Sequence, residues 1–270
     1  MRPIDAIERW PGTHAAAVVV REDGGPRVTW FAGPMDKRFS HASVTKLASS
    51  LAVLVEIEAG SCRLDDPCGP PGATLAHLLS HASGLPLDRD EPVAPPGQRR
   101  IYSNRGIERA VEHAAIAAAM TPAALVASRV LEPLGMAATV LLGSVASGAV
   151  GSTADLCLLA AELLAPTLLD DLAAAQRAVT FPGLAGVLPG FGRHDPCDWG
   201  LGAEVKGSKR PHWTGARWPS STVGHFGQAG GFLAVDYDDG VAVVTLGDEP
   251  FGPWATAAWP VFTDEVHAAR

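Results

Sequence analysis

The pattern of apolar and polar positions changes twice along the chain, and the order of the changes predicts the architecture. Near the N-terminus, two short β-rich runs, residues 15–20 and 28–32, flank the turn-forming segment Glu22-Asp23-Gly24-Gly25-Pro26. Two such runs joined by a short connection containing glycine are typical of a β-hairpin. Strand character returns late in the chain, at residues 199–205 and again at residues 232–246.

The middle of the chain has the spacing of helices. From residue 43 to about residue 180, Ala and Leu recur at helical intervals, with Pro and Gly between the helices. Residues 256–269 can form a closing helix. Strands at both ends predict an α+β fold, in which the two termini complete one antiparallel sheet flanked by terminal helices. The predicted sheet domain comprises residues 1–42 and 196–270, and residues 43–195 form an inserted, mostly helical domain.

Composition agrees with a compact folded protein. Apolar residues make up 47% of the 270 positions and charged residues 19%, which excludes an intrinsically disordered chain. The net charge of −8 argues against non-specific binding to nucleic acid or to an anionic membrane surface. No basic stripe with interleaved aromatic residues is present, so we expect no nucleic-acid partner.

Two segments bear on the cellular compartment. Residues 1–10 contain no apolar run followed by a small-residue cleavage site, so they do not predict a secretory signal peptide. Residues 114–128 are the most membrane-like stretch, but they contain Thr121-Pro122. This pair predicts an N-cap with proline at the first helical position, hence two helices and not one membrane span. We therefore expect a cytoplasmic protein without a membrane partner.

The cysteines and the possible metal ligands indicate no further chemistry. Cys62, Cys68, Cys157 and Cys197 lack C-x-x-C spacing and are expected to be free thiols in a reducing cytosol. The segment His194-Asp195-Pro196-Cys197-Asp198 is the one candidate metal cluster, and it lacks the fixed ligand spacing of a structural zinc site. We expect no metal and no cofactor.

The most informative segment for chemistry is Phe39-Ser40-His41-Ala42-Ser43-Val44-Thr45-Lys46. It places the Ser43 hydroxyl and the Lys46 amine three positions apart at the predicted start of a helix, where both lie on one face. A serine hydroxyl needs a base to become a nucleophile. Lysine can be that base only if burial or nearby positive charge lowers its pKa from about 10.4. The spacing alone is equally consistent with a solvated lysine.

Two further motifs follow in order. Tyr102-Ser103-Asn104 comes after a Pro-Gly turn and contains one of the two tyrosines in the chain. His225-Phe226-Gly227 lies in a glycine-rich stretch just before the second predicted hairpin, where small residues let a ligand approach the strand backbone. Each motif is weak alone. Together with S-x-x-K, in this order, they are strong evidence for a serine-based active site.

The ordered motifs resemble those of the serine β-lactamase and penicillin-recognising superfamily. The similarity is greatest to the class C β-lactamase-like branch, which includes class VIII esterases and D-stereospecific peptidases. Four other segments resemble landmarks of that branch: residues 57–67, 75–85, 130–136 and 151–156. The resemblance runs from about residue 15 to the C-terminus and implies a β-lactamase/transpeptidase-like fold, with the active site in a cleft between the two domains.

The resemblance also implies roles for the motif residues. Ser43 would be the nucleophile that forms an acyl-enzyme, and Lys46 and Tyr102 would handle its proton. Which of these two is the general base stays open, because tyrosine and lysine in one cleft titrate together. Asn104 would orient Lys46 and bind a substrate carbonyl or amide.

The third motif would complete the substrate site. The backbone amides of Ser43 and Gln228 would form the oxyanion hole, with Gly227 beside them and His225 contacting the substrate. β-Lactamases and DD-peptidases of this superfamily generally have lysine at the position of His225. A neutral histidine carries no full charge near pH 7, which favours uncharged esters or amides over penicillins and acidic peptides.

Other polar residues near the motifs have simpler interpretations. His81 and Ser83 are expected to fix a loop by hydrogen bonds, as polar residues in tight turns usually do. Ser152 is expected to be a helix N-cap. His41 is two positions from Ser43 and does not face it on a helix, so it is not a candidate base.

Three hypotheses follow. The first is a cytoplasmic serine esterase or amidase acting on small acyl substrates through Ser43. The second is a β-lactamase, DD-peptidase or D-aminopeptidase, which would take a β-lactam or a peptide. The third is a non-catalytic binding protein with the same fold, and the presence of both Lys46 and Tyr102 argues against it. The oligomeric state and the natural substrate stay open.

Overall fold

The computed structural model of the protein describes residues 2–269, so Met1 and Arg270, the two end residues of the predicted sheet domain, lie outside it. The α-helices are α1 Thr45–Glu58, α2 Leu75–Leu79, α3 Asn104–Ala117, α4 Pro122–Val126, α5 Thr153–Leu164, α6 Leu172–Arg177 and α7 Pro253–Ala268. The strands are β1 His14–Glu22, β2 Gly25–Ala32, β3 Arg38–Ser40, β4 Val140–Leu141, β5 Ala149–Ser152, β6 Gly186–Leu188, β7 Gly192–His194, β8 Glu204–Val205, β9 Val223–Gly227, β10 Gly231–Asp236 and β11 Val241–Gly247.

The main sheet confirms the predicted α+β architecture. Its six strands are in the order β2-β1-β11-β10-β9-β8, and all neighbours are antiparallel. The N-terminal strand β1 pairs with β11 near the C-terminus, with Ala17 opposite Val244. The predicted hairpin between β1 and β2 is present, and α7 closes the chain where the sequence predicted it.

Both faces of the sheet are covered, which explains why β9, β10 and β11 are buried at every position and not at alternate ones. On one face, Val244 and Leu233 belong to a buried cluster with Leu51 of α1 and Leu156 of α5. The first cluster contains residues from both predicted domains, and the division into two domains stays a prediction. On the other face, a second cluster is rich in aromatic residues: Trp213, Trp218, Phe226, Phe232, Trp259 and Phe262. Burying each large apolar side chain stabilises the fold by about 1.5–3 kcal/mol.

The predicted strand at residues 199–205 is wrong for most of its length. Only Glu204 and Val205 form β8, because the backbone turns at Gly202, where φ is +92°. A side chain at Gly202 would lie 2.1 Å from Cβ of Ser50 in α1, so the chain can pass the helix only at a glycine. The short strands β3 to β7 were not predicted, since runs of two to four residues carry little periodic signal.

The alanine-rich stretch forms two helices, as the Thr121-Pro122 pair predicted. The hydroxyl of Thr121 accepts a hydrogen bond from the amide of Ala124, and Pro122 begins α4. Among residues 2–269, no single helix is long and apolar enough to cross a membrane. The pair Asn104–Ala117 and Pro122–Leu131, bent by 82°, meets the length and composition criteria together.

A buried polar cluster fixes the segment after β8 to the edge of the sheet. The carboxylate of Glu204 lies 3.2 Å from Nζ of Lys209 and 3.2 Å from Nε2 of His212, and it accepts a hydrogen bond of 2.5 Å from Nε1 of Trp213. Lys209 also donates to the carbonyl of Asp198 at 2.9 Å. Because Glu204 and Lys209 are almost fully buried, neither charge has water to replace its partner.

Removing one charge of this cluster should therefore destabilise the protein strongly. We expect Lys209→Met to lower the free energy of unfolding by about 3–5 kcal/mol, because it leaves the Glu204 carboxylate buried without its partner. The double variant Glu204→Gln with Lys209→Met should show a clearly smaller decrease in the free energy of unfolding, because it removes both buried charges. Urea unfolding of the three proteins measures this, and equal losses in the single and double variants would contradict it.

Candidate active site

Ser43 lies in a tight turn immediately before α1. The turn is a 3₁₀ segment, Ala42–Val44, which follows β3, and Ala42 has φ of +43°. A left-handed conformation costs an alanine about 1–2 kcal/mol. Such strain persists only where the surrounding structure imposes it, and it is common at functional sites. The predicted helix start is thus confirmed to within one turn, and Ser43 projects from its N-terminal end.

Lys46 has a buried side chain with three close polar contacts. Its side chain is fully buried, and Nζ lies 2.6 Å from Oδ1 of Asn104, 2.9 Å from the carbonyl of Ala146 and 3.2 Å from Oγ of Ser43. Burial lowers the pKa of Lys46 to about 7. A large fraction of this amine is therefore neutral at pH 7.

The neighbours of Lys46 also indicate how a neutral amine would be oriented. The Asn104 and Ala146 oxygens can only accept hydrogen bonds, so they take the two N–H groups of the amine. The Ser43 hydroxyl can donate, and it occupies the third direction, where the lone pair of the amine lies. The S-x-x-K spacing therefore places a serine hydroxyl in contact with a buried amine.

Tyr102 stands beside the same pair. The Lys46 Nζ atom lies 4.9 Å from the centre of its ring, and its hydroxyl lies 3.4 Å from Nε2 of His225. Burial raises the pKa of Tyr102 well above its ordinary value, although a hydrogen bond with the Ser43 hydroxyl partly opposes this. The phenol is therefore neutral in the physiological range, and in this state it is a hydrogen-bond donor and a weak acceptor.

The Tyr-Ser-Asn motif is held by its neighbours. The Ser103 hydroxyl caps α3 by accepting from the amide of Gly106 at 2.8 Å, and it donates to the carbonyl of Pro86 at 2.6 Å. The Ser103 amide donates to Nδ1 of His81 at 3.2 Å, which confirms His81 as a loop-fixing residue. The Ser83 and Ser152 predictions are also confirmed, because their hydroxyls accept from the amides of Leu85 and Asp155.

Arg100 is a positioning residue that sequence reasoning missed. Its guanidinium is buried two positions before Tyr102 and donates only to backbone carbonyls: Ser80 at 2.6 Å, Thr180 at 2.8 Å, Phe181 at 2.9 Å and Cys197 at 3.2 Å. It thereby ties three separate loops together behind the Tyr102 segment. A buried arginine without an acidic partner carries no sequence signal, since its partners are main-chain atoms.

Strand β9 brings the third motif against Ser43. A side chain at Gly227 would lie 2.5 Å from the carbonyl of His41 and 3.3 Å from the amide of Ser43, so the position requires glycine. Gln228 follows immediately, and its side chain is exposed. The described residues accept no hydrogen bond from the Ser43 or Gln228 amide, which leaves both free to bind a substrate oxygen.

The cleft at Ser43 is small and mostly apolar. Its free volume is about 30 Å³, and its lining consists of Ser43, Tyr102, Leu188, Pro189, Trp199, Glu204, His225, Phe226 and Gln228. The indole of Trp199 lies 5.4 Å from the ring of His225 and 4.5 Å from that of His81. Sequence reasoning missed Trp199 and Leu188. Leu188 comes from the unpredicted hairpin β6–β7, so no local pattern pointed to it.

Four roomier surface grooves lie elsewhere on the described residues, two of them with free volumes of about 400 and 580 Å³. The first is lined by Arg109 and His113 among others, and the second by Met136 and Leu141 among others. None of the four is lined by Ser43, Tyr102 or His225, which meet at the smaller cleft.

Among residues 2–269, one group of side chains brings possible metal ligands close together. Ligand atoms of Asp236, Asp239 and His267 all lie within 4.8 Å of one another. His267 Nε2 is 3.0 Å from Oδ2 of Asp236, whose Oδ1 accepts from the amides of Asp238 and Asp239. The group thus forms a turn and ties α7 to the sheet. It is on β10 and α7, apart from the Ser43 cleft.

Comparison with known proteins finds one family along nearly the whole chain. A family model described as beta-lactamase matches residues 5–257. The chain is 41% identical to a beta-lactamase from Mycobacterium bovis, with a TM-score of 0.95 over 98% of both chains. No curated protein matches the chain.

Two more distant solved structures share the fold. A variant of simvastatin synthase from Aspergillus terreus is 14% identical, with a TM-score of 0.77 over 98% of this chain and 93% of the other. EstCE1, described as a hydrolase with promiscuous acyltransferase activity, is 17% identical, with a TM-score of 0.77 over 97% of this chain and 95% of the other.

The family match covers nearly the whole chain and includes the Ser43, Tyr102 and His225 motifs. The fold, the order of the motifs and the close Mycobacterium bovis structure lead to one assignment. The chain belongs to the beta-lactamase family and has the β-lactamase/transpeptidase fold.

Proposed function

We propose that the protein is a serine hydrolase that forms an acyl-enzyme on Ser43 and acts on small, uncharged esters or amides. The observation that carries this proposal is the contact of 3.2 Å between Oγ of Ser43 and the buried Nζ of Lys46. A hydroxyl in contact with a neutral amine is an activated nucleophile. Family members of this fold include hydrolases, and EstCE1 is described as one.

Lys46 is the general base in this proposal. Its pKa of about 7 matches the working pH, whereas the raised pKa of Tyr102 makes its phenolate too scarce to serve. Lys46 takes the Ser43 proton as Oγ attacks the acyl carbonyl, and the resulting ammonium keeps its bonds to Asn104 and Ala146. Tyr102 acts as a neutral hydroxyl beside the reacting oxygen.

The negative charge that develops on the substrate oxygen is bound by the amides of Ser43 and Gln228. Strand β9 approaches the Ser43 turn closely only because Gly227 has no side chain, and this approach supports the pairing of the two amides. One such donor is typically worth about 3–4 kcal/mol of transition-state stabilisation.

The preference for uncharged substrates rests on the electrostatics of the cleft. Its lining contains no lysine or arginine, and burial lowers the pKa of His225 to about 3, so this histidine is neutral. A penicillin carboxylate would find no cation there to offset its loss of water. The small apolar space between Leu188, Trp199 and Phe226 suits a short acyl group.

β-Lactam hydrolysis is the second candidate, and the 41% identical Mycobacterium bovis protein, described as a beta-lactamase, favours it. The nucleophile, base and oxyanion amides would be the same for both reactions. The two candidates differ only in what binds the rest of the substrate. A cytoplasmic location and a purely small-molecule partner remain predictions from the sequence.

The first test is turnover of p-nitrophenyl acetate, p-nitrophenyl butyrate and a chromogenic cephalosporin. We expect ester hydrolysis with little cephalosporin hydrolysis, and Ser43→Ala should lower kcat/KM by at least about 10³-fold. Ser61→Ala, at an exposed turn, is the matched control and should keep full activity. Faster cephalosporin than ester turnover would favour the second candidate, and activity that survives Ser43→Ala would exclude Ser43 as nucleophile.

The pH dependence tests the base. Because only neutral Lys46 can accept the proton, kcat/KM for the ester should rise about tenfold between pH 6 and pH 8 and then level off. Lys46→Arg should be inactive throughout, since a guanidinium stays charged. Lys37→Arg, an exposed position, is the control. A profile that is flat from pH 6 to pH 8 would contradict Lys46 as the base.

Gly227→Ala tests the oxyanion hole. The new methyl group would displace β9 from the His41 carbonyl and the Ser43 amide, so kcat should fall about 10²- to 10³-fold. Gly24→Ala is the matched control, because nothing lies within 4 Å of its side-chain position. An unchanged kcat in folded Gly227→Ala would show that the two amides do not act together.

A further inference from the structure

His225 has a buried side chain, and protein groups already contact both of its ring nitrogens. Its side chain is 3% exposed, and both ring nitrogens face protein groups. Nδ1 lies 2.7 Å from the carbonyl of Phe226, and Nε2 lies 3.4 Å from the hydroxyl of Tyr102. The imidazole of His225 thus contacts Tyr102 through one nitrogen and the backbone of its own strand through the other.

The two contacts fix the tautomer of the ring. A carbonyl oxygen can only accept, so the Phe226 contact requires the hydrogen on Nδ1. In the neutral imidazole Nε2 then has a lone pair and no hydrogen. The Tyr102 hydroxyl must therefore donate to Nε2, and the direction of that hydrogen bond is set by Phe226.

The surroundings keep the ring in this neutral state. Trp199 packs against it, and the titratable groups near it are Lys46, Tyr102, His81 and Glu204. Burial and the nearby Lys46 amine both disfavour a positive charge on the ring, and Glu204 offsets this only in part. A protonated ring would present two donors and would lose its acceptor for the phenol hydrogen.

We propose that His225 is a positioning residue for Tyr102: its Nε2 accepts the phenol hydrogen and so keeps that hydrogen away from the lone pair of Lys46. This deepens the proposed function and rests on it. The proton stays on Tyr102 throughout, and what His225 supplies is the orientation of one hydroxyl. With its hydrogen held by Nε2, the phenol cannot donate to the Lys46 lone pair, which therefore stays available to the hydrogen of the Ser43 hydroxyl.

A lysine at position 225 could not do this. An ammonium has three donors and no acceptor, so it would force the Tyr102 oxygen to accept from it and turn the phenol hydrogen elsewhere. Glutamine can accept through its amide oxygen, whereas leucine can neither accept nor donate. The three substitutions therefore show whether position 225 needs a hydrogen-bond acceptor or only a side chain that fills the space.

The kinetic test uses p-nitrophenyl acetate and the variants His225→Gln, His225→Leu and His225→Lys. We expect His225→Leu and His225→Lys to lower kcat at least tenfold with KM changed less than threefold, and His225→Gln to retain most of kcat. His113→Gln, on α3 at the Asp66 contact, is the matched control. Thermal melting first checks that each variant is folded. Wild-type kcat in a folded His225→Leu variant would overturn the proposal.

A second measurement does not depend on turnover. In ¹⁵N-histidine-labelled protein at pH 7, with His225 assigned by comparison with His225→Gln, we expect Nδ1 to carry the hydrogen and the Nε2 shift to move in Tyr102→Phe. A hydrogen on Nε2, or no response to Tyr102→Phe, would overturn the proposal. If the tautomer is as expected but no ester is hydrolysed, the proposed function fails and the contact between His225 and Tyr102 stands.

Discussion

The burial of the Lys46 amine is the constraint on which the rest of the site depends. An ammonium group in that position would lose its water and gain only two carbonyl-type acceptors and a hydroxyl, so the neutral form becomes accessible near pH 7. The same burial has a cost. Because the pKa in the folded state is below that of the unfolded chain, the unfolded state binds more protons between about pH 7 and pH 10.5, and Lys46 destabilises the fold most below that range.

That cost is offset by packing on both faces of the sheet. The helix that carries Lys46 is buried along nearly its whole length, and the second face is closed by large aromatic side chains such as Trp259 and Phe262. Rigid packing also fixes the directions of the groups around the amine. Arg100 binds four carbonyls behind Tyr102, and Gly227 lets β9 approach the Ser43 turn. The site is therefore positioned largely by main-chain atoms.

This dependence on the main chain explains how much the sequence could predict. Ser43 and Lys46 are near in sequence, so their contact followed from helical spacing, and strands at both ends predicted the antiparallel sheet. Tyr102 and His225 were assigned to the site through the resemblance to a family, because residues so far apart in sequence have no spacing that predicts a contact. The carbonyl of Ala146 and the bend at Gly202 left no pattern, because backbone acceptors and close approaches between distant segments are properties of the tertiary structure alone.

The electrostatics of the cleft separate activation of the nucleophile from recognition of the substrate. In the proposed mechanism, the Lys46 ammonium formed by proton transfer faces Asn104 and Ala146, and the Tyr102 ring lies between it and the cleft, 4.9 Å from Nζ. His225 is neutral, so nothing in the lining offsets a substrate carboxylate, while Lys46 can still cycle between its two protonation states. A lysine at position 225 would add a second charge near the first and lower the pKa of Lys46 further. In the proposed mechanism, a neutral residue there lets the base keep a pKa near neutral pH, at the expense of affinity for anionic substrates.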